Sequence, residues 1–227
     1  MAEQKKTNEA LNVEDALTQS EAFLIKNKKA IIGAILAIII IIAGIVMYKN
    51  LYAEPREEKA QAALFKGQEY FEADAFAEAL NGDSIGYVGF IKIADQYSGT
   101  DAANLAKAYA ALCYAHLGKF DEAVKALDSF DGNDQMVAPA MKGAMGNCYA
   151  QLGQLDKASS MLLKAADEAD NTTLSPIYLK QAGEILVKQG KYDDAIKAYT
   201  SIKEKYFRSY QAMDIDKYIE QAKLLKK

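Results

Sequence analysis

The chain has 227 residues, and 51% hydrophobic side chains are enough to bury a core, so a disordered protein is excluded. Three prolines, no tryptophan and a body rich in Ala, Leu, Lys, Glu and Asp favour helix over sheet, which predicts an all-α fold. The formal charge of −4 is unevenly spread: residues 1–53 carry six lysines and five acids, residues 54–227 carry 21 basic and 26 acidic groups. With Arg56 and Arg208 as the only arginines, a phosphate-binding surface is not expected, and nucleic acid is not an expected partner.

In the first 29 residues, Leu17, Phe23, Leu24 and Ile25 read either as the stripe of a short interfacial helix or as part of a flexible leader. From Ala30 to Tyr48 the sequence AIIGAILAIIIIIAGIVMY holds 19 residues without a charge. As a helix it spans roughly 28 Å, the thickness of a bilayer's hydrocarbon core. A helix apolar on every face has little use in a soluble domain of this size, and the lysines on either side suit lipid head groups. The run is too long, and starts too late, for a cleavable signal peptide. A membrane-spanning helix is therefore expected over residues 30–50.

Lys26, Lys28 and Lys29 crowd the N-terminal side of this segment, while Arg56 and Lys59 beyond it are diluted by Glu54, Glu57 and Glu58. The positive-inside rule then places residues 1–29 in the cytoplasm as a short tail and the rest across the membrane. In a bacterium this is a single-pass inner membrane protein with a periplasmic C-terminal domain.

Beyond residue 54 one spelling recurs: LGKFDEAV at 117–124, LGQLDKAS at 152–159 and QGKYDDAI at 189–196. Set on Gly118, Gly153 and Gly190, the register brings Phe120, Leu155 and Tyr192 together two residues later, and Ala123, Ala158 and Ala195 five later. Nine later stand Leu127, Leu162 and Tyr199; four earlier Tyr114, Tyr149 and Leu186; seven earlier Ala111, Gly146 and Gly183. A period of about 35 residues marks a solenoid of helical hairpins, none of which buries its apolar face alone. The glycine ends the first helix in a left-handed cap, the next large residue plugs the hairpin, and the alanine lets the helices approach. Pro139 and Pro176 both lie 14 residues before their glycines, where first helices begin, and Ser175 is the expected N-cap of the third.

Units are expected at 101–135, 138–171 and 175–207, with a degenerate unit at 57–99 and a capping helix at 209–225. In the degenerate unit Gly67 and Tyr70 keep the repeat spacing, and Val88, Ile91, Ile93 or Ala94, and Tyr97 form a face for a second helix. Residues 71–86 read as an irregular insertion that turns at Asn81-Gly82-Asp83.

This joint recurrence over residues 101–207 resembles the tetratricopeptide repeat family. The family's early Trp is replaced by Lys107, Lys142 and Leu179, and its closing Pro by Gln135, Asp170 and Phe207. The resemblance implies a curved stack whose first helices line a groove for a peptide or a partner's helix. Carried onto this sequence, the groove positions are Leu105, Ala108, Leu112, Ala115 and His116, then Ala140, Gly143, Ala144, Asn147 and Gln151, then Ile177, Lys180, Gln181, Glu184 and Lys188.

The layout of short tail, SEAFLIKNKKAIIG leading into the anchor, and a stack starting near Glu57 is similar to the YfgM-like family of ancillary subunits of the bacterial SecYEG translocon. That second resemblance implies a far-side protein-binding module whose partners are envelope or translocation machinery and secreted client chains. The alternative is a structural subunit of another envelope assembly that uses its convex face and the insertion.

No constellation in the sequence points to catalysis, and neither a cofactor nor a small-molecule substrate is expected. His116, the only histidine, falls just before the Gly118 corner and reads as structural or solvated. Cys113 and Cys148 take the same position in successive units; equivalent positions on packed helices lie roughly 9–10 Å apart, too far for a disulfide, so both read as small buried hydrophobes. The run DSFDGND lacks the ligand spacing of a calcium loop.

Overall fold

A computed structural model describes residues 21–227. The chain divides into two units between Pro55 and Arg56. Leu17 of the proposed stripe and most of the expected cytoplasmic tail lie outside the described residues; Phe23, Leu24 and Ile25 are exposed on helical residues 21–26.

In the first unit α1, Lys28–Tyr48, buries none of its side chains, and a π-helical turn, Lys49–Ala53, follows it. Among the described residues the stretch that starts at Lys28 is the one long and apolar enough to cross a membrane.

The second unit, which takes α2 (Glu54–Glu72) from Arg56 onward, is entirely helical among its regular elements: α3 (Phe76–Asn81), α4 (Phe90–Gln96), α5 (Asp101–His116), α6 (Phe120–Asp128), α7 (Val137–Gln151), α8 (Leu155–Ala169), α9 (Ser175–Lys188), α10 (Tyr192–Lys205) and α11 (Ile215–Leu225) follow. Successive helices pack as antiparallel pairs, α5 with α6, α7 with α8 and α9 with α10, giving the expected all-α solenoid.

Each corner of the stack is the same hydrogen-bonded cap. At Gly118, φ is +73°, Lys119 N–H donates to Tyr114 O at 2.8 Å and Gly118 N–H to Ala115 O at 3.1 Å, which is the Schellman pairing. Gly153 and Gly190 repeat it with φ of +72° and +73°. The alanines that follow, Ala123, Ala158 and Ala195, are each 0% exposed, so the second helix sits against the first with nothing larger than a methyl between them.

The structure reveals a fourth copy of this corner where the sequence reads as an insertion. Asp74 has φ +57°, Ala75 N–H donates to Tyr70 O and Asp74 N–H to Phe71 O, in the same pairing. Phe76 stands two residues later and Ala79, 0% exposed, five later, so ADAFAEAL at 73–80 is the octet with Asp in place of Gly. Aspartate is one of the few side chains admitted to the left-handed region, because its short polar group bonds locally. Replacement of Asp74 by Gly should raise stability by about 1 kcal/mol, read as a shift in the urea midpoint.

The insertion is therefore shorter than expected and lies at residues 82–89, between α3 and α4. Gly82 (φ +95°) stops the second helix of the first pair early, and Gly89 (φ +87°) passes against Asn81 and Leu80 backbone, where no side chain fits. Asp83 organises the loop. It accepts from the Tyr70 hydroxyl and from Ile85 and Tyr87 N–H at 2.8 and 2.9 Å. The Tyr70 bond first, and then the backbone donors, hold its carboxyl below the ordinary aspartate range. The helix resumes at Phe90, and its buried face is Phe90 and Ile93 rather than Ile91, which is 40% exposed.

A size match runs through the pairs. Seven residues before each glycine corner stands a small residue, and nine after it a large one, and the two pack together. Gly183 lies under the Tyr199 ring, and a Cβ on Gly146 would come within 2.8 Å of Leu162. Gly67 lies under Phe90 and Tyr87, so Phe90 fills the seat that the interrupted helix leaves empty. Where Ala111 holds the position, Leu127 is its large partner, and both are buried in one cluster.

Two helix starts differ from expectation. Ser175 is the first residue of α9 rather than its cap; fully buried, it donates to Ala166 O at 2.7 Å. The Asn171 side chain accepts from Thr173 and Leu174 N–H and holds the turn that leads into α9, while the serine ties α9 to α8. The closing helix begins at Ile215, not 209, because Ser209 accepts from Ala212 N–H and winds Tyr210–Met213 into a separate 3-10 turn.

Both cysteines are free and buried; burial pushes the Cys113 thiol up to about 12 and raises that of Cys148. At neutral pH they are unreactive packing groups.

Candidate partner groove

The candidate positions lie on α5, α7 and α9, the first helices of three pairs. The spacing of the repeat brings the same helical face up in each pair, but the residues on it do not all stay open. Ala108 is 2% exposed and Gly143 is buried beneath the Tyr178 ring of the next pair, so these two pack helix on helix rather than face a ligand. Leu105, Leu112, Ala115, Ala140, Ala144, Ile177, Lys180 and Gln181 are half-buried, and Asn147, Gln151, Glu184 and Lys188 are exposed. The open surface is thus mainly apolar on α5, small and apolar giving way to Asn147 and Gln151 on α7, and polar and charged at the α9 end.

His116, though exposed, is spoken for. Its ring stacks on Phe76 at 4.1 Å and meets Phe71 edge-on at 5.9 Å, joining the α5 corner to the first pair. That contact depends on the fourth corner, since Phe76 is its plug residue.

At the other end the structure gathers Ile177, Lys180, Gln181 and Glu184 around a hollow of about 450 Å³. The far wall comes from Tyr210, Gln211, Met213 and Asp214. Lys180 lies 4.4 Å from the centre of the Tyr218 ring and 3.8 Å from the Glu184 carboxylate. Tyr218 above all, with smaller contributions from Glu184 and Asp214, raises the Lys180 ammonium above its ordinary range against the opposing effect of burial. The Gln181 side-chain oxygen is buried without a hydrogen-bond partner.

The four residues of the far wall escaped the sequence reading because 209–225 reads as one amphipathic helix. A signal was present: Tyr210 and Met213 fall off the stripe of Ile215, Ile219 and Ala222, and each is 80% exposed.

The model of the tetratricopeptide repeat-like domain matches residues 21–218. No curated protein matches the sequence. Among solved structures, a point variant of the Podosopora anserina putative kinesin light chain nearly identical TPR-like repeats is similar at 12% identity, covering 74% of this chain and 87% of its own, with a TM-score of 0.53. A second structure of those repeats has 13% identity, covers 75% and 96%, and has a TM-score of 0.49. At such identity the likeness concerns the fold alone.

Proposed function

Because the chain belongs to the tetratricopeptide repeat-like domain family, we propose that it is a membrane-anchored protein-docking module on the far side of a bacterial inner membrane, accessory to protein translocation or to the handling of secreted chains. The family fold is typically a non-catalytic interaction scaffold, which suggests protein partners. The observation that carries the reading is the run of half-buried and exposed side chains on α5, α7 and α9, a row of small apolar and polar groups left without intramolecular partners large enough to cover them. Residues 30–50 supply the tether. A covalent tether raises the effective concentration of the groove at the membrane, so that weak contacts suffice for clients emerging there. Lys26, Lys28 and Lys29 support an N-terminus in the cytoplasm, and Tyr48 and Tyr52, their tilted rings 5.4 Å apart, suit the opposite interface, where aromatic rings collect.

Photo-crosslinking in intact cells tests this. A reactive residue at Leu112 or Asn147 should give adducts with envelope or secreted proteins, and protease added to spheroplasts should remove residues 54–227 while sparing the anchor. One feature favours the second reading, a structural subunit: the loop at 82–89 is braced by Asp83 and holds Ile85, 85% exposed, at its tip. Adducts confined to Ile85, with none at Leu112 or Asn147, would establish that reading instead.

A further inference from the structure

The hollow between α9 and the Tyr210–Met213 turn has a chemistry of its own. Two carboxylates, Glu184 and Asp214, stand on its rim against one ammonium, Lys180. That ammonium is already committed, to Glu184 at 3.8 Å and to the Tyr218 ring at 4.4 Å. The Asp214 carboxylate makes no hydrogen bond or close ion pair among the described residues and acts on Lys180 only at longer range, so two carboxylates against one ammonium leave the hollow with a net negative charge. Beside it Tyr210 and Met213 hold apolar surface in water, each 80% exposed, and Ile177 lies half-buried opposite. The Gln181 carbonyl, shut away without a donor, sits on the α9 wall; the terminal torsion of a glutamine is soft, so the amide turns readily toward an incoming N–H.

From these features we infer that the hollow seats an extended segment of a partner protein in which an apolar side chain stands next to a lysine or arginine. The apolar side chain covers Met213 and Tyr210, the cation answers Asp214 and Glu184, and a backbone N–H of the segment reaches Gln181. Charge complementarity selects this occupant: an acidic segment meets two carboxylates and a lysine already paired, and a neutral one leaves the net negative charge of the hollow in place. A volume of about 450 Å³ takes two or three side chains, not a folded domain. The inference rests on the reading that first helices face partners, but it concerns one end of the row and has its own test.

The full-length protein in detergent micelles is titrated into three fluorescein-labelled twelve-residue peptides that differ only at their centre, Leu-Lys-Leu, Leu-Gln-Leu or Leu-Glu-Leu, and anisotropy is read. The lysine peptide should bind most tightly and weaken as salt is added. Asp214→Asn and Glu184→Gln should each weaken it about threefold, as exposed ion pairs do, and leave the glutamine peptide unchanged. Met213→Ser should weaken both. A merely structural role for the carboxylates would move both peptides together. Equal binding of all three peptides overturns the inference. So does a lysine peptide indifferent to Asp214→Asn and Glu184→Gln but released by Leu112→Arg; the groove reading then survives without this site. Failure of all three peptides to bind overturns the inference and counts against the groove as well. A peptide-free oligomer that Met213→Arg disperses assigns the hollow to a second copy and likewise overturns it.

Discussion

Gly183→Ala should destabilise the protein by about 3 kcal/mol, at the upper end for a single added methyl, because the site of that methyl is occupied by the Tyr199 ring. Tyr199 is 1% exposed and held in a cluster with Leu186, Ile202, Ile215 and Ile219, so the ring has nowhere to retreat. The natural sequence suggests the remedy. Where the small position is Ala111, the large partner is Leu127 instead of an aromatic. Tyr199→Leu in the Gly183→Ala background should therefore recover at least about 1 kcal/mol, although Tyr199→Leu alone is destabilising. Urea unfolding of the full-length chain in detergent, followed by circular dichroism, supplies the four corners of the cycle. Strictly additive losses would mean that the two residues do not share the space assigned to them. In a stack held by nearest-neighbour contacts the damage should also be local, with hydrogen exchange rising in α9, α10 and α11 well before α5 and α6.

Phe90→Ala should cost about 3–5 kcal/mol, the range for deleting a fully buried aromatic. Its side chain is 0% exposed, stacks on Tyr109 at 5.1 Å and fills the place against Gly67 that a regular second helix would otherwise fill. Removing it leaves the first pair without its wedge. The loss should appear as fast exchange in α2, α3 and α4, and the Phe76–His116 stack should loosen with them, which a change in the His116 ring resonances would report. A Phe90→Ala protein whose α2 and α3 exchange no faster than before would show that the interrupted pair is held by the Asp83 loop alone.

Much of the site was legible because a repeat states its rule several times. The positions of Gly118, Gly153 and Gly190, the alanines five later and the large residues nine later name the corner, the close approach and the core without any structure. The fourth corner was hidden by the same rule, since it was tracked by glycine and the left-handed position there is Asp74. What matters physically is the sign of φ, and aspartate reaches it at a cost that letters do not display. Ala108 and Gly143 were misplaced for a related reason: small residues on a first helix mark either a groove floor or a helix contact, and only the Tyr178 ring over Gly143 tells which.

By itself the sequence determined the helical class, the period of the stack, the corner chemistry and the long charge-free helix, because each is written along the chain, in local patterns or in their recurrence about every 35 residues. The tertiary structure decided which first-helix side chains stay open, where the interrupted pair resumes, and that Tyr210 to Asp214 face Gln181 across a hollow. Those facts depend on groups more than 20 residues apart meeting in space, and no periodicity along the chain records the volume left between them.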